Sequence, residues 1–303
     1  MGISQMRTCL VLIALGLLCA VQAGCGTKPR TGKSIEDEFR AATKIPDARR
    51  RADRLLKIAG QPEDGDQSEQ VVKSVAAAIL AAGKIEDIYQ RCRILNRAIY
   101  LYHSIGYGHR IDDPVRDVAR VVEQIEDLGN RIQISAQLGE IYTKFLDKGS
   151  TAEMYLADCE KWAGEIASLE GSIRAQMVTA YYYYRLKQEE NCERLVDLAL
   201  EKAATVKDTR GQADLYGELG SRLIKLERKE RAAEMFELAE RGAHTVGENL
   251  SRGYALLDLA ARLKASGNGK GSTRLLNEAE KAAEADVEGA LRRELLEKIH
   301  AAR

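Results

Sequence analysis

The chain has 303 residues, of which 45% are hydrophobic and 30% charged, and its 46 basic side chains balance 46 acidic ones. Zero net charge argues against a nucleic-acid-binding protein, because such proteins carry a basic excess. A single long apolar run excludes a protein with several membrane spans. All four prolines lie at or before Pro114, and the rest of the chain, rich in Ala, Leu, Glu, Lys and Arg, is typical of α-helix.

The N-terminus has the pattern of an export signal. After Arg7 come thirteen apolar residues, 9–21, too few to span a bilayer comfortably but typical of the apolar region of a signal peptide. Cleavage after Ala23 would give a periplasmic or secreted protein. Residues 23–25, Ala-Gly-Cys, instead resemble the core of a bacterial lipobox, and we favour lipidation of Cys25. An uncleaved membrane anchor is the third alternative.

This interpretation divides the chain into a signal peptide (1–24), a lipid-anchored tether (25–34) and a repeat domain (35–303). The polar residues 26–33 suit a flexible tether. A diacylglycerol together with an amide-linked acyl chain exceeds the two-signal threshold for stable anchoring. We therefore expect an exported, membrane-attached lipoprotein.

A period of forty residues organises the rest of the chain. Small or apolar residues recur at this spacing at Ile79, Ala119, Cys159, Ala199, Ala239 and Ala279. An acidic residue four before an arginine also recurs and predicts ion pairs across one helical turn. The pairs include Asp47/Arg51, Asp87/Arg91, Asp127/Arg131, Glu170/Arg174 and Glu248/Arg252. Each unit is predicted to hold two helices, A and B, with no sheet. The predicted A helices are 47–60, 87–105, 127–146, 170–187, 208–226 and 249–265; the B helices are 68–82, 114–125, 151–165, 189–204, 229–244 and 270–285; short helices at 35–43 and 288–302 cap the ends.

The unit resembles the tetratricopeptide repeat in a lengthened form. Leu219-Gly220, Leu223, Ala232, Phe236 and Ala239 match that family's spacing throughout. The resemblance implies an all-α, right-handed α–α superhelix of about six helix pairs, whose A helices line a concave groove that binds peptides or proteins. The unit is longer than the family's and lacks its closing proline, which leaves a HEAT-like or other helical solenoid as the alternative.

The same resemblance places certain A-helix positions on the groove. The candidate partner-binding residues are Tyr100, His103, Lys144, Tyr181, Tyr184, Arg185, Lys225 and Lys264. Lys144, Arg185 and Lys225 occupy equivalent positions in three consecutive units. These aligned cations lie beside Tyr181 and Tyr184, and the arrangement predicts binding of a partner segment that is acidic or ends in a C-terminal carboxylate. The alternative is that all are ordinary solvated helix residues.

The sequence contains no motif that predicts catalysis. It has four histidines without a His-x-x-x-His pair, no Cys-x-x-Cys and no glycine-rich phosphate loop. We therefore expect no enzyme activity, no cofactor and no metal. Cys92, Cys159 and Cys192 are predicted to pack in the core, with a Cys159–Cys192 disulfide as the alternative.

Three functional hypotheses follow. The first is a membrane-tethered scaffold of the bacterial cell envelope that binds a protein or peptide partner in its concave groove. The second is a structural subunit of an envelope assembly complex, acting through its ends or convex face. The third is a solenoid enzyme or a binder of a small ligand in the concave cavity.

Overall fold

The computed structural model describes residues 34–61, 68–285 and 289–303. The predicted signal peptide, Cys25 and most of the tether lie outside the described residues. Within them the chain forms fourteen α-helices and two short 3₁₀ turns, and contains no strand. None of these helices is long and apolar enough to cross a membrane.

The helices alternate as A and B members of six pairs, between a leading and a closing helix. The leading helix is α1 (Ile35–Thr43) and the closing helix is α14 (Ala290–Ala302). The pairs are α2 (Ala48–Ala59) with α3 (Ser68–Ala82), α4 (Ile88–Ser104) with α5 (Asp112–Val121), α6 (Leu128–Lys144) with α7 (Gly149–Glu165), α8 (Leu169–Arg185) with α9 (Glu189–Ala203), α10 (Thr209–Lys225) with α11 (Lys229–Thr245), and α12 (Asn249–Ala265) with α13 (Gly269–Glu284).

Each unit packs on its neighbours in one repeated way. Every A helix contacts its own B helix and the A helices of adjacent units, and every B helix contacts the next A helix. Successive B helices are joined by ion pairs between long side chains, such as Arg194–Glu160 at 2.8 Å and Arg274–Glu240 at 2.6 Å. Because the A helices approach one another more closely than the B helices do, the A side forms the inner wall of the array. The predicted all-α solenoid is confirmed.

The small or apolar residues that recur every forty positions, which we call the packing column, are buried in the four C-terminal units. In the first two units the buried positions are displaced by one residue. Cys159, Ala199, Ala239 and Ala279 are fully buried. In the first two units the buried positions are instead Val75 with Ala78 and Val115 with Val118, while Ile79 and Ala119 are only half-buried. An extra residue between the helices of the third unit accounts for this shift, because it delays the B helix by one position relative to its A helix.

The recurring acidic residues have a different role from the one expected. Asp47, Asp87 and Asp127 each precede an A helix, and each carboxylate accepts a hydrogen bond from the backbone N–H three residues later. Such caps satisfy donors that a helix start leaves unpaired, and each contributes about 1 kcal/mol. The predicted ion pairs with the following arginines do not form at these three positions, whereas the predicted pair Glu170–Arg174 forms at 3.4 Å. Arg131, for example, donates to the backbone oxygen of Ile125 at 2.8 Å.

Five of the A-to-B turns contain a residue in the left-handed backbone conformation, which the sequence did not predict. Gly106, Asp147, Lys187, Glu227 and Gly267 follow successive A helices, and each has a positive φ between 53° and 87°. This left-handed conformation reverses the chain and lets the next backbone N–H bond back into the helix that is ending. Three of the five positions tolerate it without glycine.

Residues 181–184 are four consecutive tyrosines, and two of them enter the core. Tyr182 and Tyr183 are buried, whereas Tyr181 and Tyr184 are half-buried. Four successive helical residues point in different directions, so only part of the run enters the core. Cys92, Cys159 and Cys192 are buried free thiols, which excludes the alternative of a Cys159–Cys192 disulfide in this structure.

Candidate functional site

The inner wall has its densest set of polar and aromatic side chains where α4, α6 and α8 meet. Tyr100, Glu140 and Tyr181 stand at the same offset from the capping residues of these three helices. Equivalent positions on stacked A helices lie side by side. Side chains from three neighbouring units therefore meet at this position of the inner wall.

Glu140 is the centre of this place, which we call the Glu140 cluster: Glu140, Tyr100, Lys144, Arg185 and Tyr181. Glu140 is only 3% exposed. Its Oε2 accepts a hydrogen bond from the Tyr100 hydroxyl at 2.7 Å, and its Oε1 accepts from Lys144 Nζ at 2.7 Å and from Arg185 Nη2 at 2.5 Å. Arg185 Nη1 also donates to the Tyr181 hydroxyl at 3.1 Å.

These contacts fix the ionisation of the cluster. Burial by itself would raise the pKa of Glu140, but the hydrogen bonds from Lys144 and Tyr100 and the charge of Arg185 outweigh it, so the pKa lies below its usual 4.5. The pKa of the Tyr100 hydroxyl is raised, mainly by burial and secondly by the negative charge of the Glu140 carboxylate. The cluster therefore holds one carboxylate, two cations and a protonated phenol at neutral pH, with a net charge of +2 − 1 = +1.

Aromatic rings extend the site along both neighbouring turns. The His103 ring stacks on Phe145 with centroids 3.8 Å apart, and Tyr100 meets the same Phe145 edge-on at 5.2 Å. Tyr184 lies within cation–π distance of both Lys187 and Arg228, each 5.7 Å from the ring centroid. His103 is exposed and Tyr184 half-buried, so both rings present surface to a ligand.

The eight predicted partner-binding residues do not form one continuous stripe. Four of them, Tyr100, Lys144, Tyr181 and Arg185, converge on the Glu140 cluster, and His103 adjoins it through Phe145. Lys225 is exposed one unit further along. Lys264 Nζ donates at 2.6 Å to the backbone oxygen of Ala302, so this lysine ties the closing helix to the last unit.

The three cations at equivalent positions are not all free to bind a ligand. Lys144 and Arg185 both donate to the buried carboxylate of Glu140, and only Lys225 does not. The sequence pattern did not identify Glu140 as the common acceptor of the first two. The signal lay in the chain, since an acid stands where the adjacent units have tyrosine. Phe145 was missed because it follows the last predicted groove position of its helix.

Several other charges of the inner wall are paired between neighbouring units. Arg97 binds Asp53 at 2.6 Å, Arg174 binds Glu218 at 2.7 Å, and Arg262 binds Asp214 at 2.8 Å. Each pair joins one A helix to the next. Among the described residues no group of three or more histidine, cysteine, aspartate and glutamate side chains converges in a way that could hold a metal ion.

Comparison with known proteins adds little to this geometry. No protein-family model matches the sequence, and no curated protein matches it. Among solved structures, the chain is similar to the crystal structure of Ton1535 from Thermococcus onnurineus NA1 at 16% identity, covering 89% of this chain and 84% of that one, with a TM-score of 0.27. That TM-score is too low to carry an argument about fold or function. The fold class, an all-helical repeat solenoid, therefore follows from the described helices themselves.

Proposed function

We propose that the chain is a membrane-tethered interaction scaffold of the bacterial cell envelope, which binds a protein or peptide partner on its inner wall. The observation that carries the proposal is the grouping of half-exposed aromatic rings and a net positive charge around Glu140. Aromatic residues and arginine are the side chains that most often dominate protein interfaces. A partner segment that carries a carboxylate matches the charge, and its apolar side chains match the rings.

Photo-crosslinking tests where the partner lies. A photoreactive amino acid placed at Tyr184 in cells is expected to capture one dominant partner. The same amino acid at Leu291 on the closing helix, which is 60% exposed, is the control. Capture at Leu291 and not at Tyr184 would refute the groove and favour the structural-subunit hypothesis, in which the ends make the contacts.

A substitution pair then tests whether the captured contact contributes to affinity. Tyr184→Ala removes a half-buried ring whose neighbours are Lys187 and Arg228, and we expect partner recovery to fall at least tenfold with helicity unchanged. Tyr254→Ala removes an equally half-buried tyrosine from α12, beside Lys298, and is the matched control. Equal recovery with both variants would contradict a role for the ring.

Membrane tethering through Cys25 has its own test. Cys25→Ser is expected to abolish incorporation of labelled palmitate and to release the protein from the membrane fraction. Retention of palmitate would refute lipidation at this residue. Loss of palmitate with unchanged membrane attachment would instead support an uncleaved anchor.

A further inference from the structure

A cavity of about 320 Å³ opens on the inner wall between α10 and α12, and α10 belongs to the unit that follows Arg185 of the Glu140 cluster. Alanine side chains from α10, α11 and α12 contribute to its lining. Five charged residues, Asp208, Arg210, Asp214, Asp258 and Arg262, surround it, and Asp208 also caps α10 by accepting a hydrogen bond from the Gly211 N–H. We call it the Asp258 cavity. Its volume is at the lower end of the range of small-molecule sites, about 300–1,000 Å³.

One glycine, Gly217, belongs to the lining of the cavity. Gly217 stands at the same offset from its helix cap, Asp208, as Met177 does from Ser168 in the preceding unit. Met177 is almost fully buried, so the equivalent position of that unit carries a large apolar side chain. At Gly217 a Cβ would lie 3.1 Å from Arg262 Cδ, so the arginine chain passes directly over the missing side chain.

The charges around the cavity are only partly paired. Arg262 Nη2 binds Asp214 Oδ1 at 2.8 Å, but Arg210 has only a long hydrogen bond of 3.4 Å, to Ser251. Asp258 makes no hydrogen bond or ion pair with another residue of the described ranges. Partial burial and the nearby Asp214 carboxylate raise the pKa of Asp258, as expected for an acid that lacks a direct cationic partner. One acid and one base are thus available at the same opening.

We propose that the Asp258 cavity binds a small zwitterion with an ammonium and a carboxylate group, such as a free amino acid. The ammonium group is placed by Asp258 and Asp214, and the carboxylate by Arg210. The alanine-lined floor accepts a small side chain. This inference is independent of the partner proposed for the Glu140 cluster and gives the small-ligand hypothesis a defined location.

The mixture of charges favours a zwitterion over a simple ion. A cation that approached Asp258 without a carboxylate would meet the repulsion of Arg210 and Arg262, and an anion would meet Asp208, Asp214 and Asp258. A ligand that carries both charges finds an oppositely charged side chain for each of them.

Calorimetric titration of the mature chain with L-alanine, L-serine and L-valine tests the proposal. We expect saturable binding of at least one amino acid. Its N-acetyl derivative, which lacks the ammonium group, and its methyl ester, which lacks the carboxylate, should each bind at least tenfold more weakly. Binding of either derivative as tight as the free amino acid would overturn the zwitterion. No saturation by about 10 mM, which corresponds to about −2.7 kcal/mol, would overturn the site.

Variants locate the binding. Asp258→Asn and Arg210→Gln are each expected to weaken it at least tenfold, while Asp53→Asn, on the inner wall of the first unit, should leave it unchanged. Gly217→Met restores the side chain of the preceding unit and should abolish binding with helicity retained. Unaltered binding in Gly217→Met would refute the cavity as the site. Photo-crosslinking at Tyr184 is expected to be the same in all these variants, so failure of one proposal is distinguishable from failure of the other.

Discussion

Replacement of Glu140 by glutamine tests whether its buried carboxylate holds three units together. The amide keeps the size of the side chain but removes the charge that Tyr100, Lys144 and Arg185 share. A hydrogen bond to a charged group contributes about 1.5–3 kcal/mol and a neutral one about 1 kcal/mol, so three weakened bonds cost about 3 kcal/mol. Lys144 and Arg185 are 35% and 32% exposed, so water offsets part of this loss. We expect Glu140→Gln to lose about 2 kcal/mol of unfolding free energy.

Urea denaturation at pH 7 measures this loss as a lower midpoint with an unchanged slope. The matched control is Glu218→Gln, because Glu218 also binds two cations, Arg174 and Arg222, but its side chain is 19% exposed. We expect that control to lose about 1 kcal/mol. Equal stability of the wild type and Glu140→Gln would refute the reasoning, as would a larger loss in Glu218→Gln.

The pH dependence provides a second test of Glu140. Its pKa is lower in the folded chain than the usual 4.5, so the charged carboxylate stabilises the fold above about pH 4.5. That contribution is lost as the pH falls through the lower folded-state pKa. The stability difference between the wild type and Glu140→Gln should therefore shrink progressively below pH 4.5. A difference that stayed constant down to pH 3 would show that its origin is not the carboxylate charge.

Four further substitutions, which make three tests, probe the fold, each measured by urea denaturation. Gly106→Ala should lose about 1 kcal/mol, because Gly106 has a φ of +81° with open space around it, so backbone strain alone acts; no loss would contradict strain at this turn. Ser135→Ala should gain about 1 kcal/mol, because the Ser135 hydroxyl is buried without a hydrogen-bond partner; a loss would indicate an unseen partner. Gly242→Ala would place a Cβ 2.9 Å from that of Ala213, whereas Gly164→Ala meets nothing within 4 Å. We expect the second variant to be the more stable by about 1–3 kcal/mol, and the reverse order would refute close packing of α10 on α11.

Much of the fold could be predicted from the sequence, because a repeat presents the same evidence several times. The predicted helices agree with the observed ones to within a few residues. The exceptions arise where one unit departs from the others. Helix α5 begins at Asp112, before the predicted 114, and α7 begins at Gly149. The one-residue shift of the packing column in the first two units could not be read from a strict forty-residue spacing.

The candidate site was less predictable, because its contacts depend on which side chains face each other across two units. Asp87 and Arg91 are one turn apart along the chain, yet the aspartate caps the helix. Arg185 and Glu140 are 45 residues apart and share a hydrogen bond. Local spacing along the chain predicts an ion pair between Asp87 and Arg91 that does not form. The contact between Arg185 and Glu140 can be predicted only when the offset between stacked helices is known. Once that offset is known, complementary residues on adjacent A helices can be found in the sequence.

The pairing of charges between units also explains where binding is expected. A solenoid is stable only through contacts between neighbours, and here the inner wall uses many of its charges for those contacts. Such paired groups are poorly placed to recognise a ligand, because a ligand would have to replace a partner already bound. Recognition is therefore expected where the pairing is incomplete: at the Glu140 cluster, where two cations share one acid, and at the Asp258 cavity, where an acid and a base lack close partners. On this argument Arg97→Ala, which breaks the pair with Asp53 in the first two units, should lower stability and leave binding at the Asp258 cavity intact.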